Sequence, residues 1–400
     1  MQLIPVSIME YIILSGVFEA LFLAFLLFFK KGKTLSDKLL SIIFLLYAIN
    51  ILLSYIEVYN RSHNFPFPLF INTSVPLIIL HGPALWFYIK SQTEQNFHFR
   101  NIYFLHFIPF TLLLIDQFVE VFLLPDSEKI TMVHNDLFRS FFTYKFFVIL
   151  MAVSTIGYFV WSLILIKKYQ MRIKTYFSQI KKIDLQWLKT LLIAALISYS
   201  LIYIMYIADI LYQFTPPGLL HAISFSIGSV YILFLGFYGH RQGNLFSSFP
   251  VNLDLNNAII EIKVEKPLLK EEEIFINDLF NFMKTNKPYL NSELTIAMLA
   301  NDLNVTSEYL SGILNGQLNN NFFDFINHYR IEEFKIRCKD PVNNKLTLMG
   351  IAYDSGFNSK ATFNRVLKKL QGLLRVIIKI KHDAFPKFRL EKQIQLLVQF

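Results

Sequence analysis

In this chain of 400 residues, 54% are hydrophobic and 42 are Phe, above the apolar share of ordinary soluble proteins, about 45–50%, so a wholly soluble globular chain is excluded. A formal charge of +9 suits a cytoplasmic membrane face or a polyanionic partner. The single cysteine, Cys338, excludes an intramolecular disulfide and a CxxC zinc framework.

Seven apolar stretches, near 5–29, 37–58, 69–90, 102–124, 141–166, 187–212 and 217–238, have the length of bilayer spans. A helix rising about 1.5 Å per residue needs about 20 residues to cross roughly 30 Å of hydrocarbon. The first stretch lacks a basic leader and a small-residue cleavage site before Lys30, so it is expected to be retained. Pro76 and Pro83 interrupt the third, with no matching pair later, which disfavours a transporter built from paired broken helices.

Basic residues set the orientation. The first, third and fifth loops hold thirteen: Lys30, Lys31, Lys33, Lys38, Lys90, Arg100, Lys167, Lys168, Arg172, Lys174, Lys181, Lys182 and Lys189. The other loops hold three, Arg61, Lys129 and Arg139. The N-terminus is therefore expected outside, and everything after Tyr238 in the cytoplasm.

Ionisable side chains in hydrocarbon are functional candidates by default. Glu10, Glu57, His106, Glu120, Asp209 and His221 fall near the expected span ends, where interfacial water or snorkelling suffices. Glu19, His81 and Asp116 lie deeper and are the candidates for a stimulus-sensing cavity, the stimulus being a small molecule or an envelope signal. No HxxxH or HxxE spacing arranges metal ligands on one helix face, so no metal site is expected.

Hydropathy collapses after Tyr238, where Gly239, Gly243, Ser247, Ser248 and Pro250 break any continuing helix. The reading divides the chain into a seven-span domain (1–240), a linker (241–269) whose "IIEIKVE" suggests an extended piece, a helical domain (270–372) and an atypical tail (373–400). The fold class expected is all-α throughout.

An amphipathic helix through Ile274, Leu279, Phe282 and Met283 is expected to stop at Pro288. "LTIAMLANDLNVTSEYLSGILNGQ" reads as two short helices, with Leu299, Ala300 and Leu303 on the first, a turn at Asn304, and a Thr306 or Ser307 cap on the second. Leu310, Ile313 and Leu314 point to the core. A longer strut helix carries Phe322, Phe325, Ile326, Tyr329 and Phe334. "LTLMGIAYDSGFNSKATFNRVLKKL" then repeats the two-helix layout, with Ala352 matching Ala300, Gly356 at the turn, Phe357 beneath it and Ser359 as cap. Tyr309 and Phe363 are expected in the core.

Two such units about fifty residues apart, joined by a strut helix, resemble the DNA-binding domain of the AraC/XylS family of bacterial transcription regulators. The segments "LANDLNVTSEYLS", "FINHYRIEE" and "IAYDSGFNSKATFNRVLKK" carry the resemblance, over roughly Leu294 to Gly372. Membrane-bound members with a seven-span region match the architecture of the first 240 residues. The resemblance implies double-stranded promoter DNA as partner, with Glu308, Ser311 and Gly312 facing bases from the first recognition helix and Lys360, Ala361, Asn364 and Arg365 from the second. Arg365 offers two donors to guanine O6 and N7, whereas Gly312 has no side chain to read with. Lys368 and Lys369 are expected at phosphates. A homodimer on paired half-sites is expected as well.

The match ends at Lys369. Leu367 stands where the family has Phe, and the family's "GxTPxxYR" ending is replaced by "GLLRVIIKIKHDAFPKFRLEKQIQLLVQF". A reading-frame shift and a divergent tail both account for this, and the strand-like "LLRVIIKIK" is aggregation-prone if exposed.

No GxSxG, P-loop or kinase-type motif occurs, so neither an enzyme nor a cofactor is expected. The leading expectation is a regulator coupling a stimulus sensed in the lipid bilayer, in a bacterial inner membrane, to promoter binding. The alternatives are a transporter or receptor with a cytoplasmic protein-binding module, and a frame-shifted regulator impaired in DNA binding.

Overall fold

The computed structural model describes residues 6–94, 97–181, 183–216, 218–242 and 270–369. Among them the chain is helical, with no strand beyond one isolated bridge between Phe177 and Thr295. The linker after Gln242 and everything from Leu370 lie outside the described residues, so the extended piece at "IIEIKVE" and the atypical tail are not described. The chain divides into two compact units, Met1–Lys167 with Gln186–Asp254, and Lys168–Leu185 with Leu255–Phe400.

The first unit holds α1 (Val6–Phe29), α2 (Leu35–Ser62), α3 (Val75–Ile78), α4 (His81–Thr93), α5 (Ile108–Gln117), α6 (Asp126–His134), most of α7 (Phe142–Tyr176), α8 (Gln186–Tyr212) and α9 (Leu219–Gln242). Five helical stretches are long and apolar enough to cross a membrane, against the seven expected: Ile8–Phe29, Leu35–Ser62, Asn101–Phe122, Phe142–Tyr176 and Gln186–Tyr212. Pro68–Ile78 with His81–Thr93 makes a sixth if counted as one span bent by 42°. The break follows from the prolines expected to interrupt it, because Pro lacks the N–H that continues a helix. In α9 the apolar part, Leu219–Leu235, is shorter.

These helices turn large apolar side chains outward. Phe18 is 71% exposed on α1 and Val153 67% on α7, a pattern that suits a lipid solvent and not water. Helices meet through small residues. A Cβ on Gly16 of α1 would stand 2.4 Å from that of Ser229 on α9, and one on Gly82 of α4 would press on Tyr158 of α7 at 3.0 Å. Buried amides take up backbone groups freed at breaks: Asn50 Nδ2 donates to the Ser74 carbonyl at 2.6 Å, and Asn60 pairs with both the N–H and C=O of Phe67.

The second unit contains α10 (Lys270–Asn286), α11 (Ile296–Asp302), α12 (Ser307–Gly312), α13 (Phe322–Lys339), α14 (Leu348–Asp354) and α15 (Lys360–Lys369). Lys287, in a left-handed conformation before Pro288, ends α10. Leu279 and Met283 are fully buried on α10, whereas Ile274 is 61% exposed, because nine positions at about 100° per residue set it on the opposite side of the helix from Met283.

Two pairs of short helices flank α13, and they close alike. In the first, Asn304 turns left-handed and the Val305 N–H bonds back to the Ala300 carbonyl at 2.9 Å. In the second, Gly356 turns left-handed and the Phe357 N–H reaches the Ala352 carbonyl at 3.1 Å. Both turns satisfy carbonyls that a helix end would leave orphaned. Thr306 caps α12 through the Tyr309 N–H and Ser359 caps α15 through the Thr362 N–H. Leu310, Ile313, Leu314, Phe357 and Phe363 are buried as expected. Tyr309 corrects the expectation: it is 39% exposed and packs edge-on against Phe275 at 5.1 Å, because its place on α12 faces α10 at the rim instead of α13.

Hydropathy assigns Lys168–Leu185 to the membrane half, but the structure makes it part of the second unit. At 35 residues α7 measures about 52 Å, well beyond a hydrocarbon layer of about 30 Å. Its last turns bring Tyr169 and Ile173, with Ile180 after them, into one core with Phe334, Phe357 and Phe363. Arg330 of α13, 1% exposed, spends its donors on this strap and on the α10–α11 connection. Nε donates to the Tyr289 carbonyl at 2.8 Å, Nη2 to the Asn291 carbonyl at 2.8 Å and Ser178 Oγ at 3.1 Å, and Nη1 to the Ser178 carbonyl at 3.3 Å. Burial pushes the guanidinium down to about 9, which leaves it protonated at neutral pH.

Candidate functional site

Two places carry unabsorbed polar chemistry. The first is the outer face of α15. Thr362, Phe363, Val366 and Leu367 are buried, which turns Lys360, Ala361, Arg365, Lys368 and Lys369 outward and leaves Asn364 half-buried between the two faces. The helix period puts the cations on one stripe. The Arg365 guanidinium lies 5.1 Å from the centroid of the Phe323 ring, a cation–π contact that holds its stem against α13. Lys369 Nζ pairs with Asp324 at 2.8 Å, so its charge is partly neutralised, while among the described residues Lys368 has no ion-pair partner. Gln179 of the strap accepts from the Thr362 hydroxyl at 2.8 Å and donates to Asn358, at the entrance to α15.

The corresponding face of α12 is different. Glu308 and Gly312 are exposed and Ser311 is half-buried, its hydroxyl accepting from Asn315 Nδ2 at 3.1 Å. Gly312 faces open space. With one carboxylate and no cation, this face supplies no attraction to a polyanion, so the electrostatic part of any such contact rests on α15.

The second place is a cavity of about 190 Å³ among α2, α5, α7, α8 and α9. Of the three deep candidates, His81 and Asp116 line it, and Glu19, half-exposed on α1, does not. His81 is buried, with Nδ1 2.8 Å from the Tyr199 hydroxyl and its ring 4.3 Å from that of Tyr47.

The structure adds residues that were assigned to span ends or counted only for orientation. Glu57 is 2% exposed and Asp209 4%. Arg139 pairs with Asp209 at 2.8 Å and with Asp136, and donates to the Thr215 carbonyl at 3.2 Å. Arg61 approaches Glu57 at 3.7 Å and donates to the Val133 carbonyl at 3.2 Å. Gly218, at φ +79°, makes room for it, since a Cβ there would stand 2.5 Å from Arg61 Cδ. His221 Nε2 lies 2.8 Å from the Ser54 hydroxyl and 3.8 Å from Glu57. A signal for this cluster was present in the sequence: Tyr47, Asn50, Ser54, Glu57 and Arg61 recur at three- and four-residue spacing, a polar stripe along an otherwise apolar helix. Among the described residues no group of three or more His, Cys, Asp or Glu could hold a metal ion.

Comparison of the chain with protein-family models, with curated proteins and with solved structures finds no match to any of them.

Proposed function

We propose that this chain is a membrane-anchored, sequence-specific DNA-binding transcription regulator of the AraC/XylS type, whose membrane helices sense a stimulus. The observation that carries the reading is the repeated unit. α11–α12 and α14–α15 are each a pair of short helices closed through a left-handed residue, on either side of α13, and the second pair ends in an outward basic stripe. That repeat supports reading the two pairs as helix-turn-helix units, each with its second helix laid in a major groove. The reading takes the bent pair as one span and α9 as a seventh beside the five long apolar helices, and the Lys and Arg bias of the loops then supports an outside N-terminus with α10–α15 in a bacterial cytoplasm.

On this reading α15 supplies both attraction and readout. Arg365 reads a guanine edge, Lys368 and Lys369 hold phosphates, and α12 contributes shape and the Glu308 carboxylate, which can accept from a cytosine amino group. The test is retardation of promoter fragments by the full chain in lipid nanodiscs across a salt series. Binding that weakens steeply with salt and favours some fragments over others is expected. No retardation of any fragment at low salt refutes the reading and favours a receptor whose helical domain binds protein.

A further inference from the structure

We propose that the membrane cavity binds a small organic ammonium ion, with the Glu57 carboxylate as its counter-ion. This deepens the sensing part of the reading above, and rests on it, by naming the chemistry of the stimulus.

Charge comes first. Among the described residues the cavity wall carries Glu57, Asp116, Glu120, Asp136 and Asp209 against two permanent cations, Arg61 and Arg139, and the imidazoles of His81 and His221. Arg139 is taken up by Asp136, Asp209 and Thr215. Arg61 stands 3.7 Å from Glu57, too far for a hydrogen bond, with its Nη1 committed to Val133. Asp116 and Glu120 take hydrogen bonds from Gln117 and Thr143, neither of them a cation. An anion entering this space would meet uncompensated carboxylates, whereas a cation would relieve them.

Hydrogen bonding points the same way. Among the described residues, five buried polar atoms on the wall have no partner. Asn50 Oδ1, Glu57 Oε2 and Gln117 Oε1 only accept, Arg61 Nε only donates, and His81 Nε2 takes either role with its tautomer, so acceptors awaiting a donor outnumber the one obligate donor. Glu57 is the centre, since its side chain is 3% exposed, the Arg61 guanidinium stays 3.7 Å away and the His221 imidazole 3.8 Å away.

Size and lining then choose among cations. About 190 Å³ is far more than a bare inorganic ion needs, and no metal-ligand group of three is present among the described residues. Tyr47, Tyr199 and Tyr203 on the wall offer aromatic faces, which attract organic ammonium groups while packing against hydrocarbon. The stripe from Tyr47 to Arg61 runs about 21 Å along α2, which suits a charged head at Glu57 and an apolar body toward Tyr47.

The experiment is calorimetric titration of the full chain in nanodiscs with phenethylammonium, hexylammonium and tetramethylammonium, beside phenethyl alcohol and phenylacetate. At least one ammonium ion is expected to bind about tenfold or more tighter than the alcohol, with no binding of phenylacetate, and Glu57→Gln to remove about tenfold of that affinity. Gln117→Ala, which removes the hydrogen bond to Asp116 but leaves Glu57 and its neighbours Arg61 and His221 in place, is expected to weaken binding by a smaller factor. No heat from any ammonium ion, equal affinity for the alcohol, or affinity unchanged in both variants overturns the proposal. Ammonium binding that depends on Glu57 but leaves DNA retardation unchanged keeps this site and refutes the sensing role.

Discussion

Arg330→Met tests whether the strap Lys168–Leu185 is held to the second unit by the buried guanidinium. Methionine fills a similar volume without donors, so the change removes the hydrogen bonds and keeps most of the packing. Two 2.8 Å bonds are lost, to the Tyr289 and Asn291 carbonyls. The Tyr289 carbonyl is left orphaned, at a cost of about 1–3 kcal/mol, while the Asn291 carbonyl keeps the Leu294 N–H at 3.2 Å and its lost bond is worth about 1 kcal/mol. The longer bonds to Ser178 and Asn327 add less, and relief of the guanidinium's desolvation offsets part of the sum. The net loss is about 3 kcal/mol, a large share of the roughly 5–15 kcal/mol that holds a domain folded.

The readout is built in. Cys338 is the chain's only cysteine, is 7% exposed and sits in the same core as the strap. Its rate of thiol labelling in the full chain follows the open population of the second unit, and a loss of about 3 kcal/mol raises that rate by about a hundredfold. Ser178→Ala removes the hydroxyl bonded to Arg330 and to the Leu294 carbonyl. The double variant is expected to be less destabilised than the two changes added, by at least about 0.5 kcal/mol, because both act on one network. Labelling of Arg330→Met within threefold of the unaltered chain, or strict additivity with Ser178→Ala, refutes the reasoning.

Gly356→Ala is expected to be as damaging by another route. At φ +93° an L side chain is strained, and its Cβ would stand 2.2 Å from the Tyr289 carbonyl oxygen, so about 3 kcal/mol or more is lost and Cys338 labelling accelerates correspondingly. Glu333 gives the pH dependence. Burial raises its carboxyl, but Lys287 and Arg337, each at 2.9 Å, outweigh burial and hold it below the usual range. The stabilisation is therefore present above the unfolded value, about 4.3, and is lost as pH falls through the depressed folded value. Glu333→Gln should flatten that acid limb of the labelling profile, and an unchanged limb refutes the assignment. On DNA, Arg365→Ala should relax preference at one base pair while Lys368→Ala weakens all fragments alike and reduces the salt slope by about one. Equal effects from the two in a salt-series retardation assay would reverse their roles.

Much of the second unit was legible because its signals are local. Thr306 and Ser359 cap the neighbouring backbone, Gly356 turns the chain where only glycine is unstrained, and Ala300 and Ala352 are small where helices cross. The inward and outward faces of α15 follow from its period alone. The cavity was legible only in part. His81 and Asp116 were found as isolated ionisable residues, but Glu57, Asp209 and His221 were assigned to the interface, since depth along a span does not tell which way a side chain points. Glu19 illustrates the converse, being deep in its span yet directed away from the cavity.

By itself the sequence determined helices with long apolar segments among the described residues, a drop in hydropathy after Tyr238, and a twice-repeated helical pair with a basic final face. These depend on periodicity, caps and composition, which act over a few residues. Only the tertiary structure decided that Lys168–Leu185 belongs with α10–α15, that Arg330 is the buried tie between them, and that carboxylates from α2, α5 and α8 share one cavity. Those are contacts between residues more than a hundred positions apart in several cases, such as Ser178 with Leu294 and Arg330. What selects them is the need to pair every buried donor and acceptor, a condition that exists only once the helices have met.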